Sequence, residues 1–106
     1  MRKITEITSQ AFIERRAFKM GNTEVEVIDN TVTLKLHGNT IARNESGVIS
    51  LSNGGWSSNT TKERLNGLLE LLGMSEKKVY QRAGVWYLDG QEWDGQNTII
   101  NAGDLS

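Results

Sequence analysis

Residues Ser52–Gly73 read SNGGWSSNTTKERLNGLLELLG, and this stretch sets the fold class. Leu65, Leu68, Leu69 and Leu72 recur at i, i+3, i+4 and i+7, which stacks four leucines on one helical face. Thr60 precedes Glu63 by three residues, the spacing of a reciprocal capping box. Gly73 follows the last periodic leucine, where a left-handed residue closes a helix at least cost. The pattern predicts a helix over 61–72. Gly67 interrupts it at roughly 1 kcal/mol against alanine and marks a place where another backbone can approach.

The entry to this helix carries a second chemistry. Helix N-termini present unpaired amides and partial positive charge, so they hold anions. Gly54 and Gly55 make the turn flexible, Ser57, Ser58, Thr60 and Thr61 offer hydroxyls, and Lys62 and Arg64 add charge. A phosphate fits such a turn, although the spacing is neither that of a P-loop nor that of a dinucleotide fingerprint. The plainer reading is a strand-to-helix turn whose hydroxyls cap the helix, and it carries more weight.

Working outward, alternation replaces the helical period. Val25 and Val27 alternate with Glu24 and Glu26, and Val32, Leu34 and Leu36 alternate with Thr31, Thr33 and Lys35. Asp29-Asn30 joins the two runs, which predicts a β-hairpin. Thr40–Arg43 and Val48–Leu51 extend it to an antiparallel meander. Lys78–Arg82 and Val85–Leu88, around Ala83-Gly84, form a C-terminal hairpin, with a brief return at Glu92-Trp93. Asn97–Asn101 reads as an edge strand whose open side would suit a homodimer. Ile4, Ile7, Ala11 and Phe12 predict a further helix over Thr5–Arg16, with Arg15 and Arg16 in the last turn where positive charge suits the dipole. The expectation is α+β: an antiparallel sheet packed against the leucine helix, plus an N-terminal helix, in one domain of 106 residues ending in a loose tail at 102–106.

Composition excludes more than it selects. There is no cysteine, so disulfides and thiolate metal sites are ruled out. No segment approaches the ~20 apolar residues of a helical membrane span, and the N-terminus lacks a signal-peptide core. The expected setting is the cytoplasm. Net charge is −1, but it is unevenly placed. Residues 1–20 carry Arg2, Lys3, Arg15, Arg16 and Lys19 against Glu6 and Glu14, whereas residues 83–106 carry Asp89, Glu92, Asp94 and Asp104 and no basic residue. The two segments either make a two-faced surface or fold together and neutralise, and the second is favoured.

Chemistry-bearing residues are sparse. His37 is the single histidine and sits beside Gly38-Asn39, a turn. Glu92 and Asp94 share one side of a short strand, but exposed acids at that spacing are ordinarily only solvated. No catalytic residue, metal ligand or cofactor is expected, and the chain is not read as an enzyme. Trp93, between two acids, is the candidate exposed aromatic anchor, with Tyr87, Glu92 and Asp94 beside it as a partner-binding surface. Trp56 is expected to plug the sheet–helix edge. The basic residues Arg15 and Arg16, with the Gly54–Arg64 turn, make an alternative nucleotide- or nucleic-acid-binding surface.

Three phrases, LHGNTIA at Leu36–Ala42, GWSSNTTKERLNGL at Gly55–Leu68 and GVWYLDGQEWDG at Gly84–Gly95, resemble small bacteriophage and prophage proteins. Those proteins share an LHGN-I turn, a GW-x-x-TTKERLN helix entry and a WYL-x-G hairpin. The resemblance implies a viral protein inside the host bacterial cell and carries no activity with it. By analogy such accessory proteins bind, and commonly inhibit, a host or anti-phage defence protein, as an anti-CRISPR-like protein would.

Overall fold

The computed structural model describes residues 1–55 and 57–101. The expectations for Trp56 and for the tail at 102–106 lie outside the described residues.

An α-helix, α1 (Lys3–Ile13), leads into a five-strand meander: β1 (Phe18–Met20), β2 (Thr23–Ile28), β3 (Thr31–Leu36), β4 (Asn39–Glu45) and β5 (Val48–Leu51). Helix α2 (Asn59–Leu71) follows, then a 3-10 turn at Ser75–Lys77. Strands β6 (Val79–Arg82), β7 (Val85–Leu88) and β8 (Gln91–Glu92) make a second sheet, and β9 (Thr98–Ile99) returns to pair with β5. The larger sheet is antiparallel, in the order β1-β2-β3-β4-β5-β9. The α+β architecture and the meander are as the sequence pattern predicts. Strand β1 was not anticipated, and β4 is longer than its apolar core because Ser46-Gly47 alone makes the turn.

The inner face of the larger sheet follows from register. Val25 pairs with Leu34, Leu34 with Ala42 and Ala42 with Leu51, so one apolar row crosses four strands. All four are buried. The register shifts at Leu34/Lys35, and the extra residue in β4 lets Ile41 and Ala42, neighbours in sequence, both be buried. α1 packs against β1, β2 and β3, and α2 packs against α1, β4 and β6.

Helix α2 buries Leu65, Leu68 and Leu69 completely, with Leu72 partly buried against the core. Its start differs from the capping box. Ser58 is the N-cap, and its hydroxyl accepts from the Thr61 amide at 3.1 Å. Glu63 turns away to α1, where it accepts from the Thr5 hydroxyl and the Arg2 amide. At the far end Gly73 takes φ 77°, its amide donates to Glu70 O at 3.1 Å and Met74 N donates to Leu69 O at 2.8 Å, a Schellman closure. At Gly67 an added Cβ would overlap the Thr5 methyl, so the glycine is what lets α1 cross so closely.

α1 stops short of the expected end. Ile13 is its last residue, and Arg15 takes the left-handed position with φ 56°. Arg16 N donates to Ala11 O at 2.8 Å, completing the same closure without a glycine. Arg15 and Arg16 therefore do not sit in the last helical turn, and none of its residues is basic.

Candidate functional site

Several polar groups at the start of the Gly54–Arg64 turn bond to near neighbours. Gly54 N donates to the Ser52 hydroxyl at 3.1 Å, and Gly55 N donates to Asn53 Oδ1 at 2.8 Å. Ser57 accepts from Asn53 Nδ2 at 3.3 Å, and Ser58 caps α2. Thr60 lines a groove of about 540 Å³ with His37, Asn39 and Asn53. His37 itself is exposed at φ 52° in its turn, 3.5 Å from Asn22 Nδ2. Lys62 reaches across to the second sheet, donating to Gln81 Oε1 at 3.3 Å and lying 5.3 Å from the Trp86 ring centroid.

Arg64 is the clearest departure from the anion-binding expectation. It is only 2% exposed. Its Nε donates to the Thr23 hydroxyl at 3.0 Å, its Nη1 to the Thr5 hydroxyl at 2.8 Å and to Glu63 Oε1, and its Nη2 to Asn22 Oδ1 at 3.4 Å. A buried guanidinium needs this complement of acceptors. Here it ties α2 to α1 and β2, and its burial keeps it from a ligand in solvent. Partial burial pushes the Glu63 carboxyl up, but the Thr5 hydroxyl, the Arg2 amide and the Arg64 guanidinium outweigh it, so its pKa falls below the ordinary 4.5.

Arg15 and Arg16 are not brought to this turn. Arg15 donates to Asn30 O at 2.8 Å, and Arg16 pairs with Glu14 at 3.1 Å and lies over Phe18. They lie beyond the far end of α1, which runs about 12 Å from Thr5, the α1 residue that touches Arg64, to Ile13. Arg64 was legible in one respect: with Thr61, Leu65 and Leu68 it occupies the same helical arc, so its spacing already placed it on the inner face.

The C-terminal candidates divide differently. Trp93 is 7% exposed, which overturns its reading as an exposed anchor. Its ring packs 6.4 Å from Trp86, and its Nε1 donates to Gln96 O at 3.1 Å and Thr98 Oγ1 at 2.9 Å. Tyr87 is half-buried and stacks on Tyr80 with centroids 5.1 Å apart, on the opposite side of β7 from Trp86. Glu92 and Asp94 are exposed, and Asp94 Oδ1 accepts from Gln96 N at 2.9 Å.

Trp93, Glu92 and Asp94 nevertheless meet at one feature, from which Tyr87 is absent. A groove of about 790 Å³ runs between the second sheet and β9. Leu88, Trp93 and Ile100 form its buried base. Its lips carry two exposed apolar residues, Val85 and Ile99. Among the described residues Asp89, Glu92 and Asp94 supply its negative charge, and Lys77 is the one cation that lines it, 3.4 Å from Asp89. β8 and β9 are each the last strand of their sheet.

Two side-chain clamps that the sequence pattern did not reveal hold this region in place. Asn66 on α2 donates to Val79 O at 2.8 Å and accepts from Val79 N at 2.7 Å, standing in for a neighbouring strand. Asn101 accepts from Ile49 N at 2.8 Å and donates to Gly47 O at 2.9 Å, which pins the chain beyond β9 to β5. Among the described residues no helix is long and apolar enough to cross a membrane.

The molecule is thus a two-layer α+β domain with an acid-rimmed groove between its sheets. The chain belongs to the Kyanoviridae Gp96 protein family, a family of phage proteins, whose model matches residues 1–103. No curated protein and no solved structure matches it.

Proposed function

We propose that the chain is a phage accessory protein that works inside the host cell by binding, and thereby inhibiting, a protein of the host or of its anti-phage defence. The observation that carries this reading is the groove between the second sheet and β9, where exposed Val85 and Ile99 flank an apolar base beside two terminal strands. Exposed apolar residues around a concave surface suit a protein partner, and sheet-edge strands suit main-chain pairing. Family membership supports the viral setting. The alternative of a nucleotide or nucleic-acid site loses Arg64 from the Gly54–Arg64 turn, because that residue is enclosed within the fold.

The test is native purification of tagged protein from infected cells, with a Val85→Lys/Ile99→Lys variant in parallel. A stoichiometric protein found with the wild type and lost with the variant is the expected result. Retention of that protein by the variant removes the groove from the proposal. A nucleotide or oligonucleotide in place of a protein overturns the reading.

A further inference from the structure

We infer that the groove between the second sheet and β9 receives an extended, basic segment of the partner protein. This rests on the binding function proposed above and names the chemistry of what binds. Among the described residues the groove offers apolar contact along its length but positive charge only at Lys77, which Asp89 already meets. Among the described residues Glu92 has no cation beside it, and the Asp94 carboxylate accepts only a backbone amide of its own loop. A segment presenting Lys or Arg on one side and an apolar residue on the other satisfies both surfaces at once. Its extended form follows from β8 and β9, which are sheet-terminal strands of two residues each. Strand addition is the recognition mode that such edges support, with alternate side chains pointing into the groove and out along its rim. The chain's own residues 102–106 are a poor complement, because they carry Asp104 and no cation.

The probes are two short labelled peptides, one alternating valine with lysine and the other alternating valine with glutamate. Their binding to the full chain is followed by fluorescence anisotropy at low and high salt. The lysine peptide is expected to bind at least about tenfold tighter at low salt, with the preference shrinking as salt rises. Glu92→Lys is expected to weaken it by about tenfold, Ile99→Ser to weaken it at both salt concentrations, and Lys19→Glu on the opposite sheet edge to leave it unchanged. Glu92, Ile99 and Lys19 are exposed, so circular dichroism should show each variant folded. Equal binding of the two peptides, or indifference to Glu92→Lys, overturns the inference. So does wild-type self-association in sedimentation that Glu92→Lys and Lys19→Glu both abolish, because the occupant is then a second copy using its basic β1 edge. A captured cellular partner that is lost with Val85→Lys/Ile99→Lys yet held by Glu92→Lys leaves the binding function standing and defeats the basic-segment inference alone.

Discussion

Replacing Arg64 with methionine tests whether the buried guanidinium is a structural tie. Methionine keeps most of the apolar stem and removes the charge with its donors. Arg64 donates to Thr23, Thr5 and Glu63, and each bond from a charged donor contributes roughly 1.5–3 kcal/mol. The full sum overstates the loss, because every former acceptor keeps another partner. The Thr5 hydroxyl still donates to Glu63, the Thr23 hydroxyl still donates to Asn22 at 2.8 Å, and Glu63 is 27% exposed to water. The guanidinium's own desolvation penalty is also relieved. The expected loss is therefore about 2–3 kcal/mol, below the 3–5 kcal/mol typical of breaking a buried pair from one side. In a domain of this size that lowers Tm by about 8–12 °C. Arg64→Lys should lose about half as much, since one ammonium cannot reproduce a fork that reaches Thr5 and Thr23 together. Urea unfolding followed by helix circular dichroism gives the free energies. The pH dependence supplies an independent check. Glu63 has a lowered pKa, so its contribution is complete above its unfolded value near 4.5 and is lost as pH falls through the folded value. Arg64→Met removes part of that depression, so the gap between wild type and variant should narrow in acid. A variant within about 0.5 kcal/mol of wild type, with an unchanged gap at low pH, would refute the tie.

Four further perturbations read other joints of the fold. Asn66→Ala deprives the buried Val79 backbone of both partners and should destabilise by about 2–3 kcal/mol, with amide exchange accelerating first in β6 and β7. Gly67→Ala gains about 1 kcal/mol of helix propensity but forces its methyl into Thr5, so chemical denaturation should report a net loss of about 1–2 kcal/mol. Arg15→Gly relieves a left-handed residue at the end of α1 and gives up an exposed bond to Asn30, and thermal melts should show a gain of about 0.5–1 kcal/mol. Trp93→Phe keeps the packing against Trp86 and removes the indole donor to Gln96 and Thr98, for a loss of about 1–2 kcal/mol in urea titrations.

Local period determined what the chain could say for itself. The spacing of Leu65, Leu68, Leu69 and Leu72 and the alternation through Thr23–Leu36 depend only on neighbours a few residues away, and both elements stand where the pattern placed them. Gly73 as the helix stop and Gly67 as a close-approach point are local in the same sense. The groove candidates were half legible. Glu92 and Asp94 are exposed as acids at a turn should be, but the exposure of Trp93 depended on Gln96, Thr98 and Trp86 arriving around its ring. Tertiary structure alone decided the role of Arg64. A cation at a helix entry looks the same in sequence whether it faces a phosphate or the hydroxyls of Thr5 and Thr23, which lie 59 and 41 residues away. It also decided the clamps of Asn66 and Asn101, since a side-chain amide can bond a distant strand only after α2 has met β6 and the chain beyond β9 has returned to β5. A residue's period reports which way it points, whereas its chemistry is set by what long-range packing brings within about 3 Å of it.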